Sequence, residues 1–159
     1  MAEVSESNVL SFQCSDALDD EGYVLGYPDS TTNKVAKAAA GAAAFGVAFK
    51  STKNPVTGTA EADKAVGVVQ APRYAYVQYN NGSGETIAVG DLVSTKGANA
   101  AGTVKKHAAT AWPGTWASAT AETISDEDAM IVGIALEAKA ASTSGKLLVK
   151  LLCPIPLKQ

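Results

Sequence analysis

Short glycine-centred motifs recur in the same order along this 159-residue chain. An ordered repeat constrains the fold strongly, because one local structure must satisfy the pattern twice. Gly22-Tyr23-Val24-Leu25 aligns with Gly90-Asp91-Leu92-Val93, and Lys34-Val35-Ala36-Lys37 aligns with Thr103-Val104-Lys105-Lys106. Phe45-Gly46-Val47-Ala48 then aligns with Val132-Gly133-Ile134-Ala135, and Val66-Gly67-Val68-Val69 repeats the last motif between the copies. The second copy is the longer, with an insertion at about 108–130 that carries Trp112-Pro113-Gly114-Thr115-Trp116 and Ser125-Asp126-Glu127-Asp128. The pattern predicts two related β halves, roughly 22–70 and 90–152, each ending in an apolar-Gly-apolar-apolar strand. Glycine inside such a strand permits a bulge or a close backbone approach.

Composition sharpens this. Alanine supplies 30 of the residues, so the 47% hydrophobic content overstates the large side chains. The core must be thin or alanine-lined, which suits a small β-barrel or sandwich that gains stability by assembling. Along the chain, residues 1–21 read as an extended N-terminal arm, 22–152 as a single β domain, and 153–159 as an extended C-terminal tail. In the arm, Val4, Val9, Leu10 and Phe12 are scattered among polar residues and have no evident partner nearby. The prolines Pro154 and Pro156 keep the tail out of a central strand.

Within the domain, Arg73–Tyr79 is dense in aromatic and β-branched residues, and Asn80–Gly84 and Glu85–Val89 follow it. Strand, Asn/Gly turn, strand is a hairpin signature. The outward face Tyr74, Tyr76, Gln78 is expected to pack. The stretch Ala36–Ala44 has helical propensity, yet Gly41 interrupts it and no large apolar residue marks a buried side. It is expected to be extended or irregular. Little helix remains, apart from one short turn expected near Ser125, where Ser125 caps and Asp128 follows.

Charge narrows the function. Thirteen basic residues against sixteen acidic ones give a net charge of −3, and Lys105-Lys106 is the largest basic cluster. A nucleic-acid partner would require a basic stripe that is not there. No run approaches the ~20 apolar residues of a membrane span, and the acidic start lacks the pattern of a secretory signal. Synthesis in a cytoplasm without processing is the expectation.

Catalytic and metal signatures are sparse. Cys14 and Cys153 lie far apart with no His or Cys beside them, which is not a zinc pattern; both read as buried or unpaired thiols. The run Asp16, Asp19, Asp20, Glu21 lacks the spaced oxygens and glycine of a calcium loop and reads as a solvated turn. His107 is the one histidine, placed in a loop and read as solvated. No nucleophile elbow is present. The expectation is therefore no enzyme, no cofactor and no metal site. Trp112 and Trp116 either cover the core or contact a partner, since aromatics on loops can anchor an interface or stack on sugars.

The apolar-and-glycine order from Gly22 through Ile87–Val93 and Val132–Ala138 to Gly145–Leu151 resembles the capsid cement, or head decoration, proteins of tailed phages and related viruses. The resemblance covers about 80% of the chain. It implies a compact β-barrel-like domain with an extended arm on the capsid exterior of the virion. It further implies the major capsid protein as partner, assembly as a homotrimer, and a role in stabilising the shell by bridging its subunits. Val4, Val9, Leu10, Phe12, Trp112 and Trp116 are then the candidate capsid or subunit contacts. The alternative is a virion or cell-surface β module that binds carbohydrate or a receptor through the Trp loop.

Overall fold

A computed structural model describes residues 9–95, 98–108 and 130–152. Among these the chain is mainly β, with nine strands: β1 Val9–Cys14, β2 Val24–Leu25, β3 Gly46–Ala48, β4 Lys64–Val69, β5 Tyr74–Asn80, β6 Leu92–Ser94, β7 Lys105–Lys106, β8 Ile131–Ala135 and β9 Ser144–Leu151. They form two antiparallel sheets, ordered β1-β4-β3-β2 and β5-β9-β8-β6-β7. Single parallel bridges, Cys14 with Val35 and Tyr79 with Val104, tie the first strand of each sheet to a later segment. These are one-residue bridges and not ladders, so the barrel expectation gives way to two open sheets.

The same connectivity runs through both. Setting β1, β2, β3 and β4 against β5, β6, β8 and β9 gives one strand order. Register agrees as well: Val24 faces Val47 and Leu25 faces Gly46 in the first sheet, while Leu92 faces Ile134 and Val93 faces Gly133 in the second. The residues that align in the sequence thus stand opposite each other's counterparts.

Alternation sorts the side chains into two cores. The larger joins Val24, Val47 and Val69 of the first sheet to Val77, Tyr79, Val93, Leu147 and Val149 of the second. The smaller lies on the other face of the first sheet, where Cys14, Leu25, Ala48, Val66 and Val68 meet Leu18 and Val35. Phe12, Tyr23 and Phe45 close its rim. Among the described residues the first sheet is therefore packed on both faces, the second on one. Valine dominates both cores, which follows from a chain whose apolar residues are small and β-branched.

Three expectations change. Residues 1–21 were expected to lack a partner in the chain, yet Val9–Cys14 pairs along its whole length with β4 and Leu18 is fully buried. Phe12 and Cys14 alternate with polar neighbours, and that short period-two signal places them on the smaller core, while Leu10 on the same side stays 45% exposed. The hairpin across Asn80–Gly84 also fails: β5 pairs with β9, from Tyr74 against Lys150 to Asn80 against Ser144. The segment after the turn bridges elsewhere, Ile87 to Lys139. An eight-residue β9 with Leu147, Val149 and Leu151 inward offers β5 a longer ladder than Glu85–Val89 could. Third, Tyr74 and Tyr76 do not pack, as described below. The alanine-rich stretch is irregular rather than helical, held by backbone bonds from Ala38 N–H to Val24 O (2.9 Å) and from Gly41 N–H to Thr95 O (2.8 Å). The helical turn expected near Ser125 and the tail 153–159 lie outside the described residues.

Candidate interaction surface

Strand β5 turns Ala75, Val77 and Tyr79 inward and Tyr74, Tyr76 and Gln78 outward, as a two-residue period requires. Tyr74 is 52% exposed and Tyr76 55% exposed. Tyr76 stands opposite Leu148 and Tyr74 opposite Lys150 on β9. Lys150 in turn faces Ile134 on β8, and Ile134 faces Leu92 on β6, which is 38% exposed. Val89, on the turn before β6, is 66% exposed. The outward face of the second sheet is thus an aromatic and aliphatic row crossed by lysines. Singly exposed apolar residues are ordinary, but a contiguous row on a rigid sheet marks an interaction site.

Its border is held by ion pairs. Lys146 contacts Asp20 and Glu21, each at 3.0 Å, and Gln78 Nε2 donates to the Glu21 carbonyl at 2.7 Å. Burial pushes the Asp20 carboxyl up, but bonds from Lys146 and from the Glu21 N–H outweigh it and leave it below its usual value. Asp19 accepts from the Tyr23 hydroxyl, which lowers Asp19; burial, followed by that bond, pushes the Tyr23 phenol up to about 12. Asp16 Oδ2 accepts the Lys37 N–H at 2.7 Å. Asp19, Asp20 and Glu21 are exposed in bends, as expected of a solvated turn, and the run also bonds to the folded chain. Gly22 sits inside this junction with φ +88°, and a Cβ there would meet Tyr76 O at 2.7 Å. Only glycine fits that approach.

The remaining candidates are scattered. Leu10 is 45% exposed. Val9 is half-buried against the larger core. Phe12 is half-buried, its ring edge-on to Phe45 with centroids 5.2 Å apart. Tyr27 leans on the same Phe45 ring at 5.4 Å and is 54% exposed. Val4, Trp112 and Trp116 lie outside the described residues. Sequence reading overlooked Tyr27, Val89 and Leu92, and assigned Tyr74 and Tyr76 to packing; the Tyr-x-Tyr alternation could have marked an outward face.

Groups with chemical potential are tied up. His107 is not a solvated loop side chain: it is half-buried, with Nδ1 3.1 Å from the Oγ of buried Ser94. Cys14 is buried, and burial raises its thiol pKa, the reverse of a reactive cysteine. A shallow depression of about 290 Å³ at Ser51–Asn54 includes Glu61 and Lys64, which pair with each other at 2.8 Å. Among the described residues no group of three or more His, Cys, Asp or Glu could hold a metal ion. Comparison with protein-family models, curated proteins and solved structures gives no match.

Proposed function

We propose that this chain is a capsid decoration, or cement, protein: it binds the outer surface of an assembled major capsid shell on the virion and bridges neighbouring capsid subunits. In this reading it is a sandwich built from two related halves, acts as a homotrimer and catalyses nothing. The observation that carries the proposal is the outward row Tyr74, Tyr76, Ile134, Leu148 and Leu92, an aromatic and aliphatic sheet face of the kind that meets a protein surface. The matched strand order and register of the two sheets support the two-halves description. The apolar-and-glycine order of the sequence supplies the link to capsids.

The mechanism is thermodynamic. A protein that binds the assembled shell and not its dissociated subunits stabilises the shell by mass action. Many copies multiply a modest affinity, because each bridges several subunits. Co-sedimentation of the purified chain with expanded shells, compared with free capsid subunits, tests this. Stoichiometric addition to shells alone is expected, together with shells more resistant to heat and low salt. Trp112→Ala or Trp116→Ala should weaken shell binding about thirtyfold, the loss typical of an aromatic anchor. A chain that ignores shells, or whose Trp fluorescence is quenched by sugars instead, overturns the proposal.

A further inference from the structure

We propose that the capsid surface seated on the outward row of the second sheet presents a carboxylate to Lys150, so that the contact is an apolar patch built around one buried ion pair. The inference rests on the shell-binding reading above and deepens it by giving the partner surface its chemistry.

Lys150 interrupts the row from within. It stands opposite Tyr74 on β5 and opposite Ile134 on β8. Leu148 precedes it on the same face of β9, as the two-residue period requires. Apolar side chains therefore flank this lysine on three sides, and the lysine itself is exposed.

Charges elsewhere are engaged within the chain. Lys34, Lys64, Lys105, Lys106, Lys139 and Lys146 each pair with a carboxylate, at 2.8 to 3.2 Å. Lys37 and Lys50 lie over the rings of Tyr23 and Phe49, and the charge of Lys53 acts on Asp19. The acids match this. Asp16 and Asp29 hold backbone N–H groups, Asp19 holds the Tyr23 hydroxyl, and every other described carboxylate holds a lysine. Among the described residues, the Lys150 side chain is the one lysine with neither a bonded partner nor an acid acting on it.

Covering the row decides what must meet that charge. An ammonium buried under an apolar surface loses its hydration, and only a hydrogen-bonded counter-charge restores what is lost. The chain has no free described acid to supply one, so the partner must. An aspartate or glutamate set among apolar side chains fits, and it also fixes register, since an apolar row alone is indifferent to sliding. Lys146, on the same strand, asks for no such group, because Asp20 and Glu21 already hold it at 3.0 Å.

Co-sedimentation of Lys150→Met, Lys150→Glu and Lys150→Arg with expanded shells tests this, with Tyr76→Ala marking whether the row is the contact. The free variants should melt with wild type, because the Lys150 side chain has no described partner to lose. Lys150→Met should weaken shell binding about thirtyfold, since it leaves the partner's carboxylate buried and unpaired. Lys150→Glu should weaken it further, Lys150→Arg should bind nearly as wild type, and Tyr76→Ala should also lose affinity. Amine-reactive labelling of wild-type Lys150 gives a second reading that needs no variant: fast on the free chain, blocked on shells. Lys150→Met that binds as well as wild type or better, while Tyr76→Ala binds worse, overturns the carboxylate and leaves the shell reading standing. Unchanged binding in every variant, or Lys150 that still labels on shells, does the same. A wild-type chain that ignores shells overturns both.

Discussion

The two sheets share a strand order and a register but not an environment. In the first, valines at matched positions on β2, β3 and β4 sit in a core shared with the second sheet, and the reverse face closes its own smaller core. In the second, the matching positions carry Leu92, Ile134 and Lys150, with Tyr74 and Tyr76 beside them, and face outward. A shared strand order therefore does not fix what a face does. The side chains decide: small valines interlock at an internal joint, while large aromatics and lysines tolerate water and offer area to a partner.

The largest expected effect lies where the sheets are most alike. Gly133 and Gly46 hold equivalent positions, and a Cβ at Gly133 would meet Lys150 O at 2.3 Å and Val149 Cγ1 at 2.4 Å. At Gly46 it would meet Val68 Cγ1 at 2.5 Å and Val69 O at 2.8 Å. Backbone cannot yield as a side-chain tip can, so Gly133→Ala should cost about 3 kcal/mol or more and Gly46→Ala somewhat less. Urea unfolding of the two variants measures the order, and equal stability with wild type would break the structural equivalence.

Next comes the difference between the faces. Val47→Ala removes buried methyl groups from the shared core and should cost about 2 kcal/mol. Its counterpart Ile134, half-buried, should lose less than about 1 kcal/mol on truncation to alanine. Thermal melts of the isolated chain read this directly; a larger loss at Ile134 would mean that its face is core.

Acid should separate the border groups from the sheets they join. Hydrogen bonds from Ala88 N–H and Lys106 hold the Asp91 carboxyl below its ordinary value of 3.8, and the Tyr23 hydroxyl does the same for Asp19. A carboxyl depressed in the folded state contributes stability that is complete above the unfolded value and lost as pH falls through the folded one. Stability should therefore fall as pH drops below about 3.8, and Asp91→Asn should flatten that fall.

The smallest effect is at Tyr23. Its raised phenol pKa stabilises the fold below the ordinary value of 10 and loses that contribution as pH climbs from 10 toward about 12. Tyr23→Phe should cost under about 1 kcal/mol at neutral pH and remove the alkaline loss. Tyrosinate absorbance and a melt at high pH together check it.

Much of this was legible in the residues themselves. The ordered glycine motifs located β2, β3, β6 and β8, because a strand that must pass close to its neighbour needs glycine wherever it sits. The break at Gly41 and the absence of a large apolar stripe kept Ala36–Ala44 from being read as a helix. Pairing was not legible. The Asn80–Gly84 turn looked like a hairpin, but local turn chemistry competes with the ladder offered by β9, sixty-odd residues on, and the longer apolar ladder wins. Nor could the sequence separate Val24 from Leu92, since both are apolar residues after the same glycine. Which of two equivalent faces is covered depends on how the halves stack. The sequence by itself determined the glycine-centred strands; only the tertiary structure decided which strands pair and which sheet faces are buried, because burial depends on which surfaces stack and not on the local pattern.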